Sequence, residues 1–539
     1  MELIRKEVQA SGALSCDEQR EAGRYTLRLT NTGKAPVELK GVRVLFSFRF
    51  AKDDACFLNG YQSWTYCPER TCGETDAAMR YVPDVMDRLF ALSAYSDACF
   101  TPPLSKQELQ KGCKRGYTYA YVRREKQVFL FSSLAEDSGF TRILFDPAEH
   151  TIRFEKDCAG RLLAPGEDYL GLALCFAEGS ENEVFDAWFD ALGVKARPAR
   201  PKVGYTSWYN CYQNISEAQI LRDLAGMKTL PFRPDVFQID DGFEPFVGDW
   251  LEEDSKKFPN GLAPILRRIR GEGCQAGIWL APFVAEKNSA LYREHPDWFQ
   301  YRGTERVRAG SNWSGAYALD PFCPDLRDYL RRSVARYREM GVTLFKLDFL
   351  YAACITPRPD MTRGEIMAET MNFLREICGD CEILACGVPL ASAFGRVEYC
   401  RIGPDMSLSF DDKPFMRLLH NERPSTLHTQ RNTFYRRQLD GRAFRNDPDV
   451  FLLRQDNTSL SEEQKHTLAV VNALFGSVLF ASDDFSAYDE KKRRLFAVLR
   501  TLQGAQVLDV QCGPLKTRRR CVTVTYAQNG RTRTLALQI

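Results

Sequence analysis

From Gly204 onward the chain alternates eight times between a short apolar run and an amphipathic segment, and this alternation constrains the fold most. The runs centre on Tyr205–Trp208, Val236–Asp240, Gly277–Pro282, Leu344–Asp348, Glu382–Cys386, Glu398–Ile402, Arg442–Asp447 and Val478–Asp483. Between the first two, a helix opened by Ser216-Glu217 carries Ile220, Leu224 and Met227 on one face. Another runs from Pro324 through Tyr329, Val334 and Tyr337 to a stop at Gly341. Such alternation is the pattern of parallel βα units. Eight units in about 285 residues fit a closed (β/α)8 TIM barrel, which takes about 250, better than an open sheet.

The flanks read differently. Residues 1–198 are dominated by short alternating runs such as Tyr25-Thr26-Leu27-Arg28-Leu29 and Val42-Arg43-Val44-Leu45-Phe46, separated by turn residues, which predicts a β-sandwich. A helix over 181–192 then leads into the proline-bearing stretch at 195–201, the clearest domain boundary. The barrel takes 199–485. The tail, 486–539, holds a Lys/Arg-rich helix and alternating runs, and reads as a small β domain.

Composition excludes several function classes. Among the 539 residues, Lys and Arg number 73 and Asp and Glu 71, so no net field draws nucleic acid or an anionic membrane. The longest weakly polar stretch, 468–481, falls short of the roughly 20 residues that span a bilayer. The N-terminus carries charges at residues 2, 5, 6 and 7 and does not read as a signal peptide. The 18 cysteines then read as reduced, mostly buried thiols of a cytoplasmic protein. That includes the Cys378-Gly379-Asp380-Cys381 pair, which joins a helix to a strand. Five histidines with no HExxH-like pairing predict no metal site, and nothing predicts a cofactor.

A barrel carries its chemistry at the C-terminal ends of its strands, and six consecutive ends here are polar. They read Gln238-Ile239-Asp240-Asp241-Gly242, Trp279-Leu280-Ala281-Pro282, Phe345-Lys346-Leu347-Asp348-Phe349, Ala385-Cys386-Gly387, Arg401-Ile402-Gly403-Pro404-Asp405 and Asn446-Asp447-Pro448-Asp449. Strand periodicity puts Lys346 and Asp348 on one face and Phe345, Leu347 and Phe349 on the other. A cation beside Asp348 suits a nucleophile that stays ionised. A second carboxylate, Asp405, lies beyond a Gly-Pro turn, where a raised proton affinity would let it protonate a leaving group. Two such carboxylates across a pocket are the minimal equipment for glycoside cleavage. Trp208, Tyr209, Trp279 and Trp313 offer flat rings for a sugar, and Asp240 with Asp241 can accept from neighbouring hydroxyls. Taken singly, Asp241, Asp411, Asp412, Asp449 and Asp484 also read as turn-formers or helix caps, and Cys386 as a small buried hydrophobe.

The strings SWY (207–209), FQIDDGFE (237–244), GIWLAPF (277–283), REHPDWF (293–299), FKLDFLYA (345–352), LACGVPL (384–390), RIGPD (401–405) and NDPD (446–449) resemble, in family order, those of glycoside hydrolase family 36. NGYQSW (59–64) and VPDVM (82–86) resemble the N-terminal signature of its compact bacterial α-galactosidases. The resemblance implies a multidomain α/β fold: an N-terminal β-supersandwich, a (β/α)8 barrel and a small C-terminal β-sandwich domain. It also implies removal of terminal α-linked galactose with retention, through a covalent intermediate on Asp348 with Asp405 as acid/base. Asp240 and Asp241 match positions that hold the sugar near O4 and O6. Lys346, Cys386 and Arg401 match sugar-contacting positions, and Trp208, Trp279 and Trp64 match pocket aromatics. Tyr61, a further pocket position, stands where relatives more often carry Trp, and Val388-Pro389-Leu390 replaces a glycine-rich stretch. Relatives assemble as dimers or tetramers, so a homo-oligomer is implied. Rival readings are an α-N-acetylgalactosaminidase, a raffinose-type transglycosylase, a metal-dependent barrel hydrolase and a non-catalytic carbohydrate-binding protein.

Overall fold

The computed structural model of the protein describes residues 1–74, 87, 91–98, 100–410, 420–515 and 520–539. The string at 82–86, Asp411 and Asp412 lie outside these residues.

The N-terminal region forms two antiparallel sheets. One orders Leu3–Ala10, Val37–Ser47, Thr151–Lys156, Thr141–Asp146 and Lys114–Tyr117; the other begins with Leu14–Glu21, Arg24–Asn31, Asp168–Gly179 and Gln127–Ser133. Period-two alternation turns Val42, Val44 and Phe46 of the first sheet toward Leu27, Leu29 and Phe131 of the second. Phe46 meets Tyr25, Phe154 and Phe176 edge-on at centroid distances of 5.1–5.9 Å. The helix Glu181–Leu192 closes the domain, its N-terminus capped reciprocally by Ser180 and Glu183. Its Trp188 is fully buried, donates Nε1–H to Ser133 O at 3.0 Å, and packs on Tyr119 and on Phe394 of the next domain.

The barrel uses all eight expected strands: Lys202–Thr206, Val236–Ile239, Gln275–Leu280, Leu344–Leu347, Glu382–Ala385, Tyr399–Arg401, Arg445–Asp447 with Val450–Phe451, and Val478–Ala481. All pair in parallel, and Pro448-Asp449 breaks the seventh into two pieces. The first piece pairs with the sixth strand and the second with the eighth, which closes the sheet on itself. Pro448 has no N–H to give a ladder, and Asp449 takes φ 72° beside it.

Inside the cylinder, alternation stacks residues in layers. Val236, Leu344, Leu384, Tyr399, Val450, Val478 and Phe480 pack together as an apolar floor. Two residues further along the strands stand Gln238, Lys346, Cys386 and Arg401, and two beyond those Asp240 and Asp348. The floor forms because these positions are apolar; the site forms because the following layers are not.

The helix Glu490–Gln503 inserts Phe496 against Phe232, Phe451 and Phe485. Its composition groups it with the tail, but its packing puts it on the barrel. The C-terminal unit is then one antiparallel sheet of Gln506–Cys512, Cys521–Gln528 and Arg531–Gln538. Val522, Val524 and Tyr526 join the main apolar cluster, so the rest of the molecule supplies its second layer.

Arg363, on the helix Arg363–Cys378, ties the first domain to the barrel. It is 1% exposed, and its Nη1 donates to Asp97 Oδ1 at 2.6 Å and Asp157 Oδ2 at 2.9 Å. Phe100 lies under the guanidinium, 3.6 Å from Cζ to the ring centre. Removing one partner of a buried ion pair strands the other charge. Arg363→Met is therefore expected to cost about 3–5 kcal/mol of stability, read as a lowered urea midpoint; a loss below about 1 kcal/mol would contradict this role.

Candidate active site

At the C-terminal end of the barrel lies a cavity of about 350 Å³. Its walls hold Asp240 and Asp241 after the second strand, Trp279 on the third, Lys346, Asp348 and Phe349 at the fourth, and Asp405 after the sixth. Trp208, Trp313 and, from the N-terminal domain, Trp64 complete the aromatic part.

Lys346 organises the floor of this cavity. Its Nζ lies 2.9 Å from Asp240 Oδ2 and 3.9 Å from Asp348 Oδ2, so the expected neighbours on one strand face do meet. Burial alone disfavours an ammonium ion; here Asp240 and Asp348 outweigh it and hold Lys346 protonated well above its ordinary range. Asp348 Oδ2 also accepts from Trp279 Nε1 at 3.1 Å, and Oδ1 from Phe349 N at 2.8 Å. Asp240 Oδ2 accepts from Gln238 Nε2 at 2.8 Å and Thr206 Oγ1 at 3.0 Å. Both aspartates are thus fixed before any ligand arrives.

Asp405 sits in different surroundings. Its Oδ1 is 2.9 Å from Arg401 Nη1, and its side chain is 35% exposed at the cavity mouth. Withdrawal from bulk water pushes its carboxyl above the usual range; Asp348 and Asp240 push the same way, against Arg401 and Lys346. Asp241 accepts from Trp313 Nε1 at 2.8 Å and from Gln213 Nε2 at 3.2 Å. Burial raises its proton affinity, and that of the neighbouring, fully enclosed Glu244, with which it shares a hydrogen bond.

Several positions take other parts than those expected of them. Phe349 does not continue the strand alternation: it takes φ 54°, which turns its ring into the cavity wall, 5.1 Å from Trp64 and 5.0 Å from Trp313. Tyr61 is not on the cavity wall. Its hydroxyl accepts from Arg363 Nη2 at 2.5 Å and lies 3.4 Å from Cys354 Sγ, inside the interdomain ion cluster. Cys386 is fully buried and accepts from Trp64 Nε1 at 3.2 Å, so it stands behind the wall and anchors the tryptophan that lines it. Gly387 allows this approach: at φ +56°, a Cβ there would stand 2.9 Å from the indole. Arg401 lies behind Asp405, its guanidinium occupied by carboxylates. Asp449, read as a turn-former, is one of these, while Asp484 does cap a short helix. Tyr209 is buried with its hydroxyl on Asp449 Oδ2.

Tyr95, Asn312, His420 and Glu422 also line the cavity and escaped sequence reasoning. None lies at a strand end. Tyr95 stacks on His420 at 5.5 Å, and Glu422 Oε1 accepts from Thr65 Oγ1 at 2.8 Å, across the domain boundary. No local signal marks such residues. Among the described residues no group of three His, Cys, Asp or Glu side chains is arranged to hold a metal ion.

The melibiase family model matches residues 206–357, from the end of the first strand past Asp348. Among curated relatives, an α-galactosidase of Escherichia coli is 32% identical over 111 residues, covering 19% of this chain and 15% of that protein. The α-galactosidase AgaA of Geobacillus stearothermophilus is 27% identical over 189 residues, 32% and 25% of the two. The chain thus spans a quarter or less of the length of these curated relatives. Similarity of structure extends further. TtGalA, an α-galactosidase from Thermus thermophilus solved with p-nitrophenyl α-D-galactopyranoside, superposes with TM-score 0.72 at 27% identity, over 96% of this chain and 98% of that one. The structure of AgaA with 1-deoxygalactonojirimycin gives TM-score 0.61 at 14% identity, over 95% and 71%, a likeness of fold. The fold has the form of the (β/α)8 glycoside hydrolases. Within that class, the chain is similar to α-galactosidases and carries a stretch that matches the melibiase family model.

Replacing Lys346 by Met would leave Asp240 and Asp348 buried without their cation. The expected loss is about 3–5 kcal/mol, read as a lowered urea midpoint. A loss below about 1 kcal/mol would refute it.

Proposed function

We propose that the protein hydrolyses terminal α-galactosides by double displacement, with retention at the anomeric carbon. The observation that carries this is two carboxylates on one small cavity wall in opposite electrostatic settings, Asp348 beside a buried cation and Asp405 with its proton held more tightly. The cavity volume, at the low end of the roughly 300–1,000 Å³ typical of small-molecule sites, suits a single sugar ring. TtGalA, solved with p-nitrophenyl α-D-galactopyranoside and with stachyose, supports α-galactosides as the substrate class.

In the first step Asp348 attacks the anomeric carbon while Asp405 gives its proton to the departing glycosidic oxygen. The galactosyl ester on Asp348 then yields to a water whose proton returns to Asp405. The N–H groups of Trp279 and Phe349 keep one carboxylate orientation, and receive the charge again when the ester breaks. Asp240 and Asp241 offer acceptor oxygens to ring hydroxyls. An epimer that misplaces a hydroxyl leaves them unpaired, at about 1–3 kcal/mol each. Trp64, Trp208 and Trp279 offer apolar faces to the ring.

Asp348→Asn is expected to abolish turnover of p-nitrophenyl α-galactoside, and NMR of the wild-type reaction to show the α-anomer first. Near-native turnover by the variant, or a β-anomer first product, would overturn the mechanism. Asp405→Ala is expected to lower kcat about 10²–10⁴-fold on an oligosaccharide, and much less on the aryl glycoside, whose leaving group needs little proton help. Because the acid must be protonated, kcat/KM is expected to fall on the alkaline side, at a pH above the ordinary carboxylate range.

A further inference from the structure

Arg401 is shared among three carboxylates, and two of them do not line the cavity. Its Nη1 lies 2.9 Å from Asp405 Oδ1, its Nε 2.9 Å from Asp447 Oδ2 and its Nη2 3.0 Å from Asp449 Oδ1. The sheet builds this arrangement, because Arg401 and Asp447 are register partners on adjacent strands. The break at Pro448 and the positive φ of Asp449 then bring a second aspartate of the same strand back to the guanidinium. Asp449 is 1% exposed. Its Oδ2 accepts from Tyr209 OH at 2.5 Å and from Met406 N, directly after Asp405, at 2.7 Å. One cation faces three carboxylates, two of them buried and the third at the cavity mouth, an arrangement that favours a proton held within the cluster.

We propose that Asp449 is a positioning residue that sets the proton affinity of Asp405 by competing with it for Arg401. The inference rests on the retaining-hydrolase reading and assigns what tunes its acid. When Asp449 is charged it draws the guanidinium's field away from Asp405 and adds a negative charge nearby; both effects hold the proton on Asp405. When Asp405 delivers its proton to the leaving oxygen, the cluster gains one negative charge, which Arg401 redistributes. The groups facing the cluster are consistent with this. Tyr209 and Tyr212 approach from the loop after the first strand, and Arg401 and Asp447 from the sixth and seventh strands. Asp348, Asp240 and Lys346 lie beyond Asp405. Burial, with Asp405 and Asp447 adding to it against Arg401, moves the Asp449 carboxyl up to about 7.

Asp449→Asn removes the competing charge and leaves Arg401 to Asp405 and Asp447. Asp405 then binds its proton less tightly, and the alkaline limb of kcat/KM on an oligosaccharide α-galactoside is expected to move to lower pH by about one unit. KM at acidic pH should stay within about threefold, because Asp449 touches no part of the cavity. Tyr209→Phe removes the hydroxyl donor to Asp449, favours its neutral form, and should move the limb in the same direction by less; it gives the readout if Asp449→Asn fails to fold. A purely structural role would lower kcat at every pH and leave the limb in place, and that result overturns the proposal. Wild-type protein that cleaves no α-galactoside would defeat the hydrolase reading instead. Ionisation of Asp405 would then be read without turnover, by difference infrared titration against Asp405→Asn, where an unchanged titration in Asp449→Asn overturns the proposal.

Discussion

A buried guanidinium holds the two halves of the site together. Arg436 is fully enclosed, and its described partners are neutral: Asn59 Oδ1 at 3.0 Å, Ser63 O at 2.5 Å, Gln62 O at 3.3 Å, Ile402 O at 2.8 Å and Cys67 Sγ at 3.1 Å. Burying a cation among neutral groups costs several kcal/mol unless its N–H groups are satisfied. The side chain therefore enforces the placement of everything that accepts from it. Four of these acceptors belong to the loop that delivers Trp64 to the cavity. The fifth, Ile402 O, directly follows the sixth strand, before the turn to Asp405. The pocket wall from one domain and Asp405 from the other are thereby registered against a common point.

The same economy of charge governs the barrel interior. Carboxylates cannot crowd a small enclosed space unless cations share it, and Lys346 and Arg401 both rise from strand positions directed inward. Lys346 serves the second and fourth strand ends, Arg401 the sixth and seventh. The result is a carboxylate beside a buried cation at one strand end and a carboxyl of raised proton affinity at another, two strands apart on the sheet. The aromatic lining follows from the same geometry, since Trp279 reaches Asp348 from the adjacent strand and Trp64 seats on Cys386 from outside the barrel.

Much of this was legible in the chain itself, for a physical reason: period-two and helical periodicities report burial directly. All eight barrel strands were readable, and so were the pairing of Lys346 with Asp348 and the location of Asp240 and Asp405 at strand ends. What misled was any position where the backbone leaves its regular path. Phe349 escapes the alternation because one positive φ reverses it. Asp449 looked like a turn residue because it is one, and only closure of the sheet shows that the turn returns it to Arg401. Tyr61 sits in a string that resembles a sugar-contacting loop, but the interdomain cluster around Arg363 claims its hydroxyl.

What the sequence determined by itself was the succession of strands and helices and the chemical character of each strand end, because those depend on neighbours a few residues away. Only the tertiary structure decided which polar groups face the cavity and which stand behind it. Tyr95, His420 and Glu422 reach the wall, and Cys386 and Tyr61 withdraw from it, through contacts between segments more than 250 residues apart. Such contacts leave no periodic trace, since the energy that selects them arises only when separate domains bury the same charges together.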